Sequence, residues 1–247
     1  MMENRALFRS IGVTLILLFP AAAPAADSDE PDKAIVRFSA AIRQDPNSAE
    51  AYRSRGEAYA RQGDYDSAIH DYTEAIKLDR TFALAFIGRG FAWESKGDDD
   101  KALQDYADAI QANPRAAAGY CHRGAVLVRK GSYERAVTDY SEAIQFAPHD
   151  ALAYQKLAWL QATCPRGRYR DGKKAVDNAT KAGELFAWKS YADFETLAAA
   201  YAETGDFPTA VKWQKKAIEM QEPKPRGYSR SRLQLYKAKE PYREVLD

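Results

Sequence analysis

The chain has 247 residues, 46% of them hydrophobic and 29% charged, with 14 Gly and 11 Pro, a composition that fits a soluble globular protein and indicates no low-complexity class. Its 36 Lys/Arg against 35 Asp/Glu leave a formal charge of +1, which argues against a nucleic-acid binder at the level of the whole chain.

The first residues read as an address. Arg5 and Arg9 form a positive start, Ile11 to Phe19 an almost unbroken apolar run, and Ala23-Pro24-Ala25 a small-residue cleavage signature. Together these describe a secretory signal peptide over residues 1–25, and hence an exported chain, periplasmic or secreted. The apolar run is shorter than the ~20 residues of a membrane-spanning helix, although the alanines up to Ala26 bring it near the lower limit. A retained amino-terminal membrane anchor is the alternative. No cysteine lies near the cleavage region, so no lipid-anchored form is suggested.

Residues 26–48 follow as a linker and half unit, in which Ala34, Phe38, Ala41 and Pro46 trace one helical arm. Three regular units then fill residues 49–150. Gly63, Gly97 and Gly131 stand thirty-four residues apart, and Ala68, Ala102 and Ala136 with Tyr72, Tyr106 and Tyr140 keep the same interval. Such a period signals stacked helical hairpins that bury each other's apolar faces. Within each unit the glycine closes the first arm in a position that tolerates φ > 0, and Asp64, Asp98 or Ser132 opens the second. Gly56, Gly90 and Gly124 face the alanines of the second arm and leave room for the tyrosines. Pro114 and Pro148 end their units, because proline cannot continue a helix interior.

Residues 151–221 hold two divergent units. The first has Tyr154, Leu157 and Ala158 in one arm and Ala175, Ala179 and Ala182 in the other, joined by a stretched Cys164 to Gly172 connection. The second carries Phe194, Leu197, Ala198, Tyr201, Gly205, Ala210 and Ala217, with Pro208 at the start of its second arm, where proline is tolerated. Residues 222–247 read as a hinge-like linker and a helix, apolar at Leu233, Leu235 and Tyr236, that caps the last hairpin.

At these residues the chain resembles the tetratricopeptide repeat family, whose pattern is aromatic, Leu-Gly, aromatic, then Ala, aromatic, Ala and Pro. The resemblance covers nearly everything after the signal. It implies an all-α fold, a right-handed superhelical solenoid of antiparallel helix pairs with a carboxy-terminal capping helix. The segments Leu157 to Pro165, Tyr169 to Val176 and Thr196 to Tyr201 are similar to a bacterial subgroup of that family, which often ends with a segment like Arg232 to Tyr236 followed by Pro241-Tyr242-Arg243. That subgroup commonly has a second cysteine where Gly183 stands here, so Cys164 lacks the partner the subgroup would offer.

Two departures from the family pattern bear on function. The leucine before the unit glycine is replaced by Arg55, Arg89 and Arg123, each followed sixteen residues later by Asp71, Asp105 or Asp139. A partly buried arginine needs a carboxylate or carbonyl, so these are candidate structural ion pairs, with ligand recognition the alternative. The second departure is in the concave lining, which the family draws from positions two, five, nine and twelve of each first arm. Here the first unit gives Glu50, Arg53, Glu57 and Ala60, and the next gives Leu84, Ile87, Phe91 and Glu94. Ala118, Cys121, Ala125 and Val128, then Leu152, Gln155, Trp159 and Ala162 continue the row. From these we take Leu84, Ile87, Phe91, Cys121, Ala125, Val128, Leu152, Gln155 and Trp159 as a candidate peptide-binding groove. The family's clamp for carboxylate tails uses lysines and asparagines at these places, and neither is present. An apolar groove suits an amphipathic helix or an extended segment with large apolar anchors, unless the chain's own end or a second copy fills it.

Charge is unevenly spread. From Asp27 to Asp150 there are 16 Lys/Arg against 22 Asp/Glu, a balance of −6; from Ala151 to Asp247, 18 against 12, a balance of +6. Solvated helix faces or steering of a complementary partner both account for this. The run Arg166, Arg168, Arg170, Lys173 and Lys174 could meet an anionic envelope surface, or be a solvated loop whose Asp171 caps the next helix. His70, His122 and His149 lie on different arms or turns, and no metal-ligand spacing, phosphate loop or nucleophile motif occurs, so neither catalysis nor a cofactor is expected. Cys121 and Cys164 fall about nine positions out of register on adjacent arms, ~13 Å at 1.5 Å per residue, which predicts two free, buried thiols. The sequence thus points to a scaffold for a protein or peptide; the alternative is a structural or assembly component of the cell envelope that contacts an anionic surface through its basic carboxy-terminal half, and self-association is a further possibility.

Overall fold

The computed structural model describes residues 30–221 and 226–245. The signal reading of residues 1–25 and the heart of the linker at 222–225 lie outside the described residues. Among those described there are twelve α-helices and no strand. Helix α1 (Pro31–Gln44) stands alone as a second arm, and five hairpins follow it. They are α2 (Ala49–Gln62) with α3 (Tyr65–Leu78), α4 (Ala83–Ser95) with α5 (Asp99–Ala112), α6 (Ala117–Arg129) with α7 (Tyr133–Phe146), α8 (Ala151–Thr163) with α9 (Gly172–Leu185), and α10 (Tyr191–Thr204) with α11 (Phe207–Glu219). Helix α12 (Gly227–Lys237) closes the array, and a short 3₁₀ turn, Gly167–Tyr169, sits in the stretched connection.

The turns follow from residue chemistry. Gly63, Gly97, Gly131 and Gly205 all adopt positive φ, between 69° and 85°. The next residue's N–H then reaches back to an otherwise orphaned carbonyl: Asp64 to Tyr59 at 3.0 Å, Asp98 to Trp93 at 2.9 Å, Ser132 to Leu127 at 2.8 Å and Asp206 to Tyr201 at 3.1 Å. Asp64, Asp98 and Asp206 accept from the backbone N–H three residues on and so start the second arms. Ser132, expected to act likewise, makes no side-chain cap bond.

Hairpin packing is a matter of small residues against tyrosine. Ala68, Ala102 and Ala136 are fully buried, and Tyr72, Tyr106 and Tyr140 are at most 2% exposed. A Cβ on Gly90 would fall 2.8 Å from the Tyr106 ring, and one on Gly124 2.9 Å from Tyr140, so a larger residue would displace the ring. Burying an apolar ring of this size contributes about 1.5–3 kcal/mol before ordering entropy.

Successive hairpins then stack. Each first arm packs on the second arm before it, and first arms also approach one another along the row α2, α4, α6, α8, α10. No comparable approach links α3 to α5 or α5 to α7, so the array bends toward its first arms. At the far end α12 takes the place of a further first arm. Tyr236 is fully buried against Ala198, Ala202 and Ala210, while buried Glu195 accepts from Ser229 and from Arg232 at 3.0 Å. That carboxylate holds the cap to the last hairpin.

Candidate functional site

The three arginines of the departing pattern each meet their aspartate side-on. Arg55 donates to Asp71 at 2.7 and 2.8 Å, Arg89 to Asp105 at 2.9 and 2.7 Å, and Arg123 to Asp139 at 2.8 and 2.8 Å. The aspartates are buried. Arg55 also reaches Ser39, and Arg89 reaches Thr73, both at 3.1 Å on the second arm of the preceding unit. The equivalent of these hydroxyl residues for Arg123 is Ala107, which has nothing to offer. Each of the first two guanidiniums therefore ties its own second arm to the one before, and the whole set is engaged within the chain.

A second periodic set was missed in the sequence. Lys96 pairs with Asp66, Lys130 with Asp100 at 2.7 Å, and Gln62 with Asp32, thirty residues apart each time. Arg129 adds Asp99 at 2.7 Å and Glu94 at 2.8 Å. Asp32, Asp66 and Asp100 share the thirty-four-residue period, and that recurrence was the signal. Apart from Arg129–Glu94, which joins the ends of two successive first arms, these contacts bridge the end of one first arm to the start of the previous second arm.

The candidate groove residues divide by their position in the unit. Ile87 is 3% exposed within the cluster of Tyr106 and Val126, and Cys121 is 4% exposed within that of Tyr140 and Leu157. Their placement corrects the expectation of an open wall at these two residues. Both occupy position five, which turns into the seam where neighbouring first arms meet. Gln155, at the same position, donates to Asp193 of α10 at 3.1 Å and so is spent in the next seam. Leu84 is 48% exposed, and Phe91, Ala125, Val128 and Leu152 are half-buried. Phe91 lies edge-on between Tyr65 and His122, its ring centroid 6.4 and 6.3 Å from theirs. His122 in turn stacks on Tyr106 at 5.5 Å, and burial pulls its pKa below the usual histidine range.

Trp159 has a different environment. The segment after α12 turns back across the face of α8 and α10: Trp159 donates its indole N–H to Glu244 at 2.6 Å, and its ring lies 5.9 Å from that of Tyr242. Arg232 stands 4.6 Å from both ring centroids. Thus the chain's own end covers this part of the row.

The basic run is partly committed. Arg170 donates to Glu203 at 2.9 Å and to the Cys164 carbonyl at 2.8 Å, and Lys174 contacts Asp171, which caps α9. Arg166 and Arg168 remain exposed, each over a tyrosine ring. Cys121 and Cys164 are free and buried, and burial pushes the Cys121 thiol up to about 12. Gly183, where the resembled subgroup has a cysteine, lies under the Trp188 ring; a Cβ there would come within 2.3 Å of it. Among the described residues no group of His, Cys, Asp and Glu is arranged to hold a metal, and no helix is long and apolar enough to cross a membrane.

Four family models match the chain. They are described as TPR repeat over residues 30–63 and tetratricopeptide repeat over 49–82, 94–151 and 195–222, and between them they account for more than half of it. No curated protein matches. Among solved structures, the fold is similar to Cut9–Hcn1 of the APC/C hetero-tetramer, with a TM-score of 0.70 and 16% identity over 85% of this chain and 40% of that one. A tetratricopeptide repeat protein from Parabacteroides merdae gives 0.63 and 20% identity, covering 85% of this chain and 81% of that one. YrrB, described as a TPR protein with an unusual peptide-binding site, gives 0.57 and 20% identity, covering 75% and 93%. The chain spans 40% of the length of the first of these, and at such identities the likeness concerns the fold.

Proposed function

The chain belongs to the tetratricopeptide repeat family, and from that premise we propose that it is an exported, non-catalytic scaffold that holds a protein or peptide against the inner face of its first arms. The observation that carries this reading is the apolar stretch of that face. Leu84 is 48% exposed, and Phe91, Ala125, Val128 and Leu152 stand half-buried on the successive arms α4, α6 and α8. An unspent apolar strip of this kind gains by taking up an amphipathic helix or an extended segment with large apolar side chains. YrrB supplies a precedent for peptide binding in the same fold class. The flanking residues define the strip's ends: Glu50, Arg53 and Glu57 form an ion network at one end, and the returning chain end covers Trp159 at the other.

Photo-crosslinking side chains placed at Leu84 and Phe91 in cells, followed by mass spectrometry, test the reading. Leu78, 41% exposed on a second arm, is the control position. The expected result is one recurrent partner from Leu84 and Phe91 and none from Leu78; equal adducts at all three, or adducts of this chain alone, would overturn it. Export rests on the pattern of residues 1–25 and is tested by the mass of the mature chain from an envelope or secreted fraction, which should lack them.

A further inference from the structure

The way the chain end seats on α8 identifies a ligand chemistry. A helix leaves its last four carbonyls without intrahelical donors. In α8, Leu160 O accepts from Cys164 N at 3.0 Å and Gln161 O from Asp171 N at 2.9 Å, both local. The remaining two are met from the far end of the sequence. Thr163 O accepts from the Glu244 N–H at 2.9 Å, and Ala162 O from the Arg243 guanidinium at 3.3 Å. That guanidinium also stands 2.6 Å from Glu203 Oε2 on α10, an ion contact placed at the negative end of the α8 dipole. On either side, Tyr242 lies against Trp159 and Arg232, and Glu244 accepts from the Trp159 indole. Residues 242–244 thus meet, in order, an aromatic surface, a carboxylate beside open carbonyls, and an N–H donor.

We propose that the recess formed by Trp159, Ala162, Thr163, Glu203 and Arg232 is a docking site for an extended peptide with the order aromatic, arginine, glutamate. Residues 242–244 fill it in cis and gate it against a partner presenting the same order. The inference deepens the scaffold reading and rests on it, since it assigns this end of the first-arm face a preferred ligand and an internal competitor. The shape of the cation matters here: Arg243 uses one terminal nitrogen for Ala162 O and the other for Glu203, and a lysine, with its single ammonium nitrogen, has no planar fork to span the two. The tethered segment competes at an effective concentration on the order of millimolar for a short connection. A free peptide of comparable affinity is therefore excluded until the segment lifts.

The test uses the full chain. A fluorescent, end-capped peptide of residues 240–245, Glu-Pro-Tyr-Arg-Glu-Val, is titrated into the wild type and into the Arg243→Ala/Glu244→Ala variant, with anisotropy as the readout. The variant should bind at least tenfold more tightly than the wild type, and a peptide with alanine in place of its arginine should lose that binding. Equal affinity for both chains, absence of binding to a variant whose circular dichroism is native, or indifference to the peptide arginine would each overturn the proposal. Should the variant not fold, hydrogen exchange of the wild type decides. Excess peptide must then deprotect the Glu244 amide, and unchanged protection overturns gating. Crosslinked partners at Leu84 and Phe91 without peptide binding here would sink the gate and spare the scaffold; the converse would do the opposite.

Discussion

Arg89→Leu restores the residue type that the repeat pattern has at this position, yet the structure says that it is costly. Asp105 is 3% exposed and its two oxygens are taken by Arg89 Nε and a terminal nitrogen at 2.9 and 2.7 Å. Without the guanidinium, a buried carboxylate has no cation and Thr73 loses its donor. Removing one member of a buried pair costs about 3–5 kcal/mol; the Arg89 side chain is 20% exposed and water can reach the vacated side, so we set about 2–4 kcal/mol. Replacing both members, Arg89→Leu with Asp105→Leu, removes the stranded charge and should fall within about 1 kcal/mol of the wild type. Urea unfolding followed by circular dichroism measures all four corners of the cycle, provided the slopes agree, since repeat arrays can unfold in steps. The effect also has a pH signature. Burial raises the Asp105 pKa and Arg89 pulls it back; without Arg89 it rises further. A carboxyl whose folded pKa is raised costs stability above that pKa and stops costing it once protonated. The deficit of Arg89→Leu should accordingly shrink as pH falls from 7 toward 4. Additive single-mutant costs below about 1 kcal/mol each, with no pH dependence, would refute the reasoning.

Gly88→Ala places a Cβ 2.4 Å from the ring of Tyr72, which is 2% exposed, so it should lower stability by about 1–3 kcal/mol in the same urea assay; a neutral result would mean the ring has room to shift. Burial lowers the folded pKa of His122 below the unfolded value of about 6.5. Its contribution is present above that value and lost as pH falls through the window beneath it, so His122→Phe should flatten the wild-type fall in melting temperature on that side, and an unchanged profile would count against it. Cys121 and Cys164 should both be silent to Ellman's reagent in the native chain and both react in denaturant, and an unreduced mass spectrum should show no linkage between them; a native thiol that reacts at once contradicts their burial.

What the sequence made legible was whatever depends on short range or repeats. The arms, their glycine turns and the Arg55, Arg89 and Arg123 pairs recur every thirty-four residues, so each unit repeats the same local physics and the same packing. The thirty-residue bridges of Lys96 and Lys130 belonged to the same period and could have been read from it. The inner face was read less well. A list of positions treats the first arms as parallel rods exposing equivalent residues, whereas the arms approach one another and the fifth position of α4, α6 and α8 rotates into the seam. That rotation buries Ile87 and Cys121 and engages Gln155, and it depends on curvature, which no window of one unit contains.

The covering of Trp159 had still less of a local signal. Its partners are Glu244, Tyr242 and Arg232, more than seventy residues away, in a stretch without the repeat period. The reason for the contact lies at the end of α8. A stretched connection after Thr163 sends the chain away before it can satisfy the Ala162 and Thr163 carbonyls, so those acceptors are left for some other donor. In a regular unit the glycine turn closes that account within a few residues, as Asp98 N to Trp93 O does after α4. The insertion that interrupts the repeat thus opens the place where the chain end docks. The two irregular parts of the sequence, far apart in number, form one site because each supplies what the other lacks.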